Sequence, residues 1–348
     1  MAAAFAVSGA QAQQRVAIGE HAQSRMTYTT AAGVNLARTN SYSGVGTVYS
    51  FRAGGGGGIC TGSLLNSTTV LTAAHCLTGT GANAVTGVSF FLPSVGNVFA
   101  GEPAARFNAS SFAINPLYAT NGGLTSGYDV AIVKLRTAAT GYETYSLNAG
   151  DPLGAFTQVG TGTTGGPDGT NRDTSDYRKR LGTNLHEYYG DEVFSDVGPG
   201  VVLGDFDDGL LEHDVFGRNG GFVQLGIPGE SNSSPGDSGG PQFRGGRIIS
   251  VTSFGVTGGI FDGYCGGDST DPFNSSRGTA VSPLGSCTNS SVGEIFGNTL
   301  VRNNKRFLFD QLGYNAFVPE PSTWAMLILG FGAIGHSLRR RGAAVATA

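Results

Sequence analysis

Three short stretches carry side chains that could do covalent chemistry together. Leu71-Thr72-Ala73-Ala74-His75-Cys76 sets a histidine between small residues and a cysteine, and Cys60 lies 16 residues upstream. Histidine can take up and return a proton near neutral pH. A Cys60–Cys76 disulfide would close a strand–turn–strand loop and pin His75 in place. Tyr128-Asp129-Val130-Ala131-Ile132-Val133-Lys134-Leu135 puts a carboxylate directly before an apolar strand. There a rigid sheet would hold the acid with its head group available, although an ordinary turn aspartate has the same pattern. Ser234-Pro235-Gly236-Asp237-Ser238-Gly239-Gly240-Pro241 embeds a serine among glycines. A nucleophilic serine needs an exposed hydroxyl and backbone N–H donors facing the developing oxyanion. Glycines on both sides allow the sharp turn and the close approach of a substrate carbonyl.

Positioning these residues calls for rigid strands, and the sequence reads as strands. Alternating or apolar runs recur at Gly46 to Phe51, Val70 to Thr72, Val88 to Leu92, Val130 to Leu135, Gly221 to Leu225 and Ile248 to Ser253. Turn residues separate them, the pattern of an all-β sandwich or barrel. The only clear helical stretch is Asn304 to Leu312. Glycine supplies 58 of the 348 residues, well above the usual roughly 7%, which favours short strands and many turns. Charged residues make up 13% of the chain, too few for charge-driven disorder. The net charge is −4, and three of the 21 cations cluster at Arg339, Arg340 and Arg341, so no basic surface for nucleic acid is expected. The four cysteines form no C-x-x-C pair, which argues against a zinc ribbon or a thioredoxin-like redox site.

In chain order the candidates run His75, Asp129, Ser238, the order of the chymotrypsin arrangement. With TAAHC at 72–76, YDVAIVKL at 128–135 and PGDSGGP at 235–241, the chain resembles a trypsin-like serine protease. The resemblance runs over residues 43 to 313. It is extended by Gln158-Val159-Gly160-Thr161-Gly162, similar to the first strand of a second barrel, and by Ser253-Phe254-Gly255, similar to the segment lining the substrate cleft. It implies two packed antiparallel Greek-key β-barrels with a short C-terminal helix. His75 would be general base and then general acid, Asp129 would hold its tautomer, and Ser238 would be the nucleophile. The N–H groups of Gly236 and Ser238 would form the oxyanion hole. The expected partners are protein or peptide substrates, and no cofactor is required.

The sequence departs from that pattern in places. Ser234 stands where many relatives have a cysteine four residues before the nucleophile. Cys265 and Cys287, both downstream of Ser238, are therefore expected to pair with each other. No arginine followed by Ile-Val-Gly-Gly is present; Arg15-Val16-Ala17-Ile18-Gly19 is a distant echo, so no N-terminal amine can be assigned to Asp237. Six residues before the nucleophile, Asn232 replaces the aspartate that rewards a basic side chain. With Ser253, Phe254 and Gly255, this implies a pocket for an uncharged P1 residue. Gly204-Asp205-Phe206-Asp207-Asp208-Gly209, followed by Glu212 and Asp214, reads either as a solvated acidic loop or as a Ca²⁺ site using Asp205, Asp207 and Asp208.

Both ends suggest export. Ala2 to Val7 is apolar and Ala10-Gln11-Ala12 fits a cleavage pattern, so residues 1–12 read as the remnant of a signal peptide; the alternative is an Ala-rich flexible end. Residues 318–341 combine Pro319-Glu320-Pro321, an apolar stretch and three arginines. Trp324 to Leu338 would span about 22 Å as a helix, short of the roughly 30 Å of a bilayer core. This tail resembles the PEP-CTERM sorting signal of Gram-negative bacteria, which implies processing by a membrane exosortase and a site in the periplasm, on the cell surface or in the matrix. A non-catalytic surface or biofilm-matrix binding protein on a protease fold is the alternative function, and the intact His75, Asp129 and Ser238 argue against it.

Overall fold

The computed structural model describes residues 37–38, 41–93, 104–166, 169–171, 178–211, 213–257, 293–313 and 316–317. The predicted signal remnant, Cys265, Cys287 and the Pro319-Glu320-Pro321 tail lie outside the described residues. Strand β1 (Ala37–Arg38) precedes a closed barrel made of β2 (Val45–Arg52), β3 (Gly57–Asn66), β4 (Thr69–Thr72), β5 (Val85–Pro93), β6 (Ala104–Ile114) and β7 (Ala131–Leu135). The barrel order is β2-β3-β4-β7-β6-β5, antiparallel throughout. Alternation along these strands sends Val48, Leu64, Val70, Phe90 and Val133 into one apolar core, as a two-residue side-chain period requires.

The second half contains β8 (Gly154–Gly160), the hairpin β9 (Thr164–Gly166) and β10 (Gly169–Asn171), then β11 (Arg180–His186) and β12 (Tyr188–Tyr189). It continues with β13 (Val201–Asp205), β14 (Pro241–Arg244), β15 (Arg247–Thr257) and β16 (Glu294–Leu300). Its sheet runs β1-β11-β8-β14-β15-β16-β13-β12. This sheet is not ringed by one continuous ladder as expected for a second barrel. It curls until β12, which follows β11 after one residue, pairs with β13, and Glu187 N–H donates to Leu203 O at 2.8 Å. The two backbones approach closely at this point, where a Cβ on Gly204 would overlap Leu185 O. Taken round the sheet, β8-β11-β13-β16-β15-β14 nonetheless repeats the strand order of the first barrel.

The expected strand at Gly221–Leu225 is a loop. Phe222 N–H donates to the Tyr188 hydroxyl and Gln224 N–H to Asp214, so side chains rather than a neighbouring strand satisfy them, and Phe222 stays 86% exposed. An apolar seam joins the halves: Val45, Leu71 and Ile132 pack with Val159, Phe243, Ile248 and Val251. The C-terminal helix Lys305–Leu312 adds Leu308 to this seam, as its helical pattern predicts.

Candidate active site

The ends of three strands meet on this seam. β4 and β7 are neighbours, with Thr72 opposite Ala131, so the residues just past β4 and just before β7 emerge together. They are His75 and Asp129. His75 N–H donates to Asp129 Oδ1 at 2.8 Å, and His75 Nδ1 lies 2.7 Å from Asp129 Oδ2. Asp129 is fully buried, while the His75 side chain keeps 11% exposure. Two contacts to one carboxylate fix the ring's orientation and leave Nε2 on the other side.

Asp129 Oδ2 takes a third hydrogen bond, from Ser253 Oγ at 2.5 Å. Ser253 reaches it because β15 bulges there: Thr252 pairs with Asn298 and Phe254 with Gly297, leaving Ser253 outside the ladder. A bulge re-aims a side chain in this way. The sequence placed Ser253 in the cleft but gave no sign that it would brace the acid.

Ser238 lies in the turn before β14. Thr61 N–H from β3 donates to Ser238 O at 2.8 Å, and Thr61 Oγ1 donates to Gly236 O at 2.9 Å, so the first barrel holds the turn from below. Gly236 (φ 102°) and Gly239 (φ 78°) take left-handed backbone that a side chain would strain, and a Cβ on Gly239 would overlap Thr72 and Ala73. Within the turn, the N–H groups of Asp237, Gly239 and Gly240 donate to Ser234 O, Thr252 O and Asp237 O. Those of Gly236 and Ser238 donate to no acceptor among the described residues.

The disulfide Cys60–Cys76 forms as expected, and no free cysteine is left among the described residues. Cys76 Sγ lies 3.8 Å from His75 Nε2 and 3.7 Å from the Ser238 backbone oxygen, so it contacts both the imidazole and the nucleophile turn. With both sulfurs oxidised, Cys60, His75 and Cys76 offer no thiolate to a metal. Among the described residues no hydrogen bond joins the Ser238 hydroxyl to His75. Catalytic contacts often tighten only around bound substrate.

A family model described as Trypsin matches residues 34–266, more than half of the chain. The chain belongs to the trypsin family. A second model, the PEP-CTERM protein-sorting motif, matches residues 317–341 and marks the chain for sorting to the cell envelope. No curated protein matches. Similar solved structures include HL collagenase, 18% identical with TM-score 0.49, covering 79% of this chain and 96% of its own. Mouse neuropsin, a serine protease, is 15% identical with TM-score 0.49, covering 78% of this chain and 96% of its own. Trypsin-family proteases need no cofactor. Among the described residues no helix is long and apolar enough to cross a membrane.

In this trypsin-family chain Asp237 has a buried site of its own. Its Oδ1 accepts from Gly162 N–H at 2.7 Å and its Oδ2 from Ser234 N–H at 2.6 Å. Burial pushes its carboxyl up to about 7, against the pull of those donors and of Arg180. Two backbone donors thus receive the carboxyl for which the sequence could assign no amine. A Cβ on Gly160 would overlap it.

The expected pocket residues do not all share one space. Asn232 is buried, its Oδ1 accepting from Ser233 N–H at 2.8 Å. It lines a cavity of about 10 Å³ with Gln158, Thr163, Arg180, Asp237 and Thr252, far too small for a substrate side chain. Phe254 turns into the core over Gly297, leaving its backbone and that of Gly255 as what this strand can offer a ligand.

The acidic loop is also rearranged relative to expectation. Asp205, Asp207 and Asp214 come together, whereas Asp208 turns to His213, Oδ1 to Nδ1 at 2.7 Å. Asp208 is displaced because it also accepts from Leu210 N–H, which closes the local turn.

Proposed function

We propose that this chain is an exported serine endopeptidase cleaving peptide bonds through an acyl-enzyme. Ser238 Oγ attacks the scissile carbonyl while its proton passes to His75 Nε2. The tetrahedral oxygen takes hydrogen bonds from the Gly236 and Ser238 N–H groups. The C–N bond breaks, the departing amine takes the proton from His75, and water repeats the sequence on the ester to free Ser238. Asp129 holds the ring so that Nδ1 faces it and Nε2 faces the serine, and it stabilises the imidazolium formed in transit. The observation that carries this reading is the pair of N–H groups at Gly236 and Ser238, left without acceptors in a turn whose other donors are used. Preorganised donors of this kind are each worth about 10²–10³-fold in rate.

Asn232, a neutral residue six positions before Ser238 where an aspartate would reward a basic side chain, supports an uncharged P1 residue. The tail supports processing by an exosortase-type enzyme and delivery to the periplasm, surface or matrix of a Gram-negative cell. Labelling of the full chain with a fluorophosphonate probe tests the nucleophile: wild type should label and Ser238→Ala should not. Equal labelling of both would move the nucleophile elsewhere. No labelling of a folded wild type would favour a non-catalytic binding protein. A peptide-library digest then reads P1 directly, and cleavage mainly after Lys or Arg would overturn the uncharged assignment.

A further inference from the structure

The segment between β13 and β14 gathers negative charge that no Lys or Arg among the described residues pairs with. Asp205, Asp207 and Asp214 are all buried, and each offers a carboxylate oxygen within 4.8 Å of the others. Two further carboxylates border them: Glu187 Oε2 accepts from Asp205 N–H at 3.2 Å, and Glu230 Oε1 from Asp207 N–H at 2.9 Å. Among the described residues no Lys or Arg forms an ion pair with any of the five.

Most of these oxygens already hold backbone. Asp205 Oδ2 accepts from Val215 N–H at 2.6 Å, and Asp214 accepts from Gly217 and Gln224 N–H at 2.6 and 2.8 Å. Glu230 Oε2 accepts from Ile227 N–H at 2.8 Å. Two oxygens do not. Asp205 Oδ1 and Asp207 Oδ1 have no hydrogen-bond partner, although the residues are only 1% and 3% exposed. A bare anionic oxygen out of water is costly unless it meets a cation.

The three convergent side chains offer only oxygen, the donor of hard cations rather than of zinc or copper. Their spacing is one that two Ca–O bonds of about 2.3–2.6 Å can span, and calcium accepts an irregular carboxylate set, whereas magnesium demands a near-octahedral shell and keeps its waters. We propose that Asp205, Asp207 and Asp214 hold a Ca²⁺ ion, with Glu187 and Glu230 flanking it and balancing its charge. The ion joins the end of β13 to the loop that continues through Glu230 and Asn232 to Ser238. Its role is to fasten the loop that carries the nucleophile turn.

The test does not depend on catalysis. Purified full-length protein is stripped with a chelator and titrated with CaCl₂, read by heat of binding and by thermal unfolding. The expected result is one-site binding and a Tm rise of roughly 5–10 °C at calcium about 100-fold above its Kd. Asp207→Asn should remove most of that rise. A wild type giving neither heat nor Tm shift in millimolar calcium overturns the site, and this result stands even if the variant fails to fold. An unchanged calcium response in folded Asp207→Asn overturns its location, and an equal response to MgCl₂ overturns the choice of ion.

Discussion

The first barrel and the second half follow one strand order but bury different chemistry. Inside the first barrel lie Val, Leu, Phe and hydroxyl side chains, and its backbone groups are taken up by a closed ladder. Among the described residues, every buried Asp, Glu, Lys or His except Asp129 lies in the second half. The reason is the length of irregular chain there. Between β13 and β14 the backbone N–H groups have no ladder, and buried donors must find acceptors. Asp205, Asp214, Glu230 and Asp237 supply them, at Val215, Gly217, Gln224, Ile227, Asp207 and Ser234, and Asp237 also receives Gly162 from the turn after β8. One half is a closed scaffold; the other holds its loops with charge. Asp129 stands where they meet.

The largest way to break this arrangement is to change that meeting point. Asp129→Asn keeps the shape but presents an amide where the carboxylate received three hydrogen bonds. On the proposed mechanism kcat should fall by about 10⁴-fold, with the Tm changed much less. A fall under tenfold would mean that Asp129 does not orient His75. The next effect belongs to the scaffold half alone. Cys60 and Cys76 lie 16 residues apart, and releasing a loop of that size should cost about 3 kcal/mol. Denaturant unfolding of the Cys60→Ala/Cys76→Ala variant measures this loss, which should be the same with or without calcium if the two halves are stabilised as argued.

How much of this was legible in the sequence follows the same division. The scaffold was readable because alternation reports directly on β2, β4, β5 and β7, as it also does on β15 of the other half, and local motifs singled out His75, Asp129, Ser238 and the disulfide. The second half was harder. Gly221–Leu225 alternates like a strand, yet its N–H groups go to Tyr188 and Asp214. The acidic run suggested Asp208, but the cluster instead recruits Asp214 from the same loop and is flanked by Glu187 and Glu230 from other elements, through long-range pairing that no local pattern encodes. The bulge that turns Ser253 towards Asp129 depends on register with β16, equally invisible along one strand.

A smaller effect sharpens the charge side of the comparison. The folded carboxyl of Asp237 is raised to about 7 from an ordinary value near 3.8, so the native state binds its proton more tightly than the unfolded chain. Its contribution to stability is complete below about pH 4 and is lost as pH rises through 7. With calcium held saturating, Tm should therefore decline from pH 5 to pH 8. Asp237→Asn, less stable overall because it loses an acceptor, should show a flatter profile. Parallel profiles for the two proteins would place the titration elsewhere.

The smallest expected effect tests whether the second half acts on the acid held by the first. Ser253 is out of the ladder, so Ser253→Ala removes no strand pairing; what it removes is one hydroxyl donor to Asp129 Oδ2. A hydrogen bond to a charged group is worth about 1.5–3 kcal/mol, but Asp129 keeps both contacts to His75, so the lower end applies. That predicts a fall in kcat/KM of roughly tenfold. If Ser253 braces the acid rather than the substrate, the loss should appear in kcat with KM nearly unchanged. It should also largely vanish in an Asp129→Asn background, where there is no carboxylate left to brace. Additive losses in the double variant would show that Ser253 contributes to the cleft independently of Asp129.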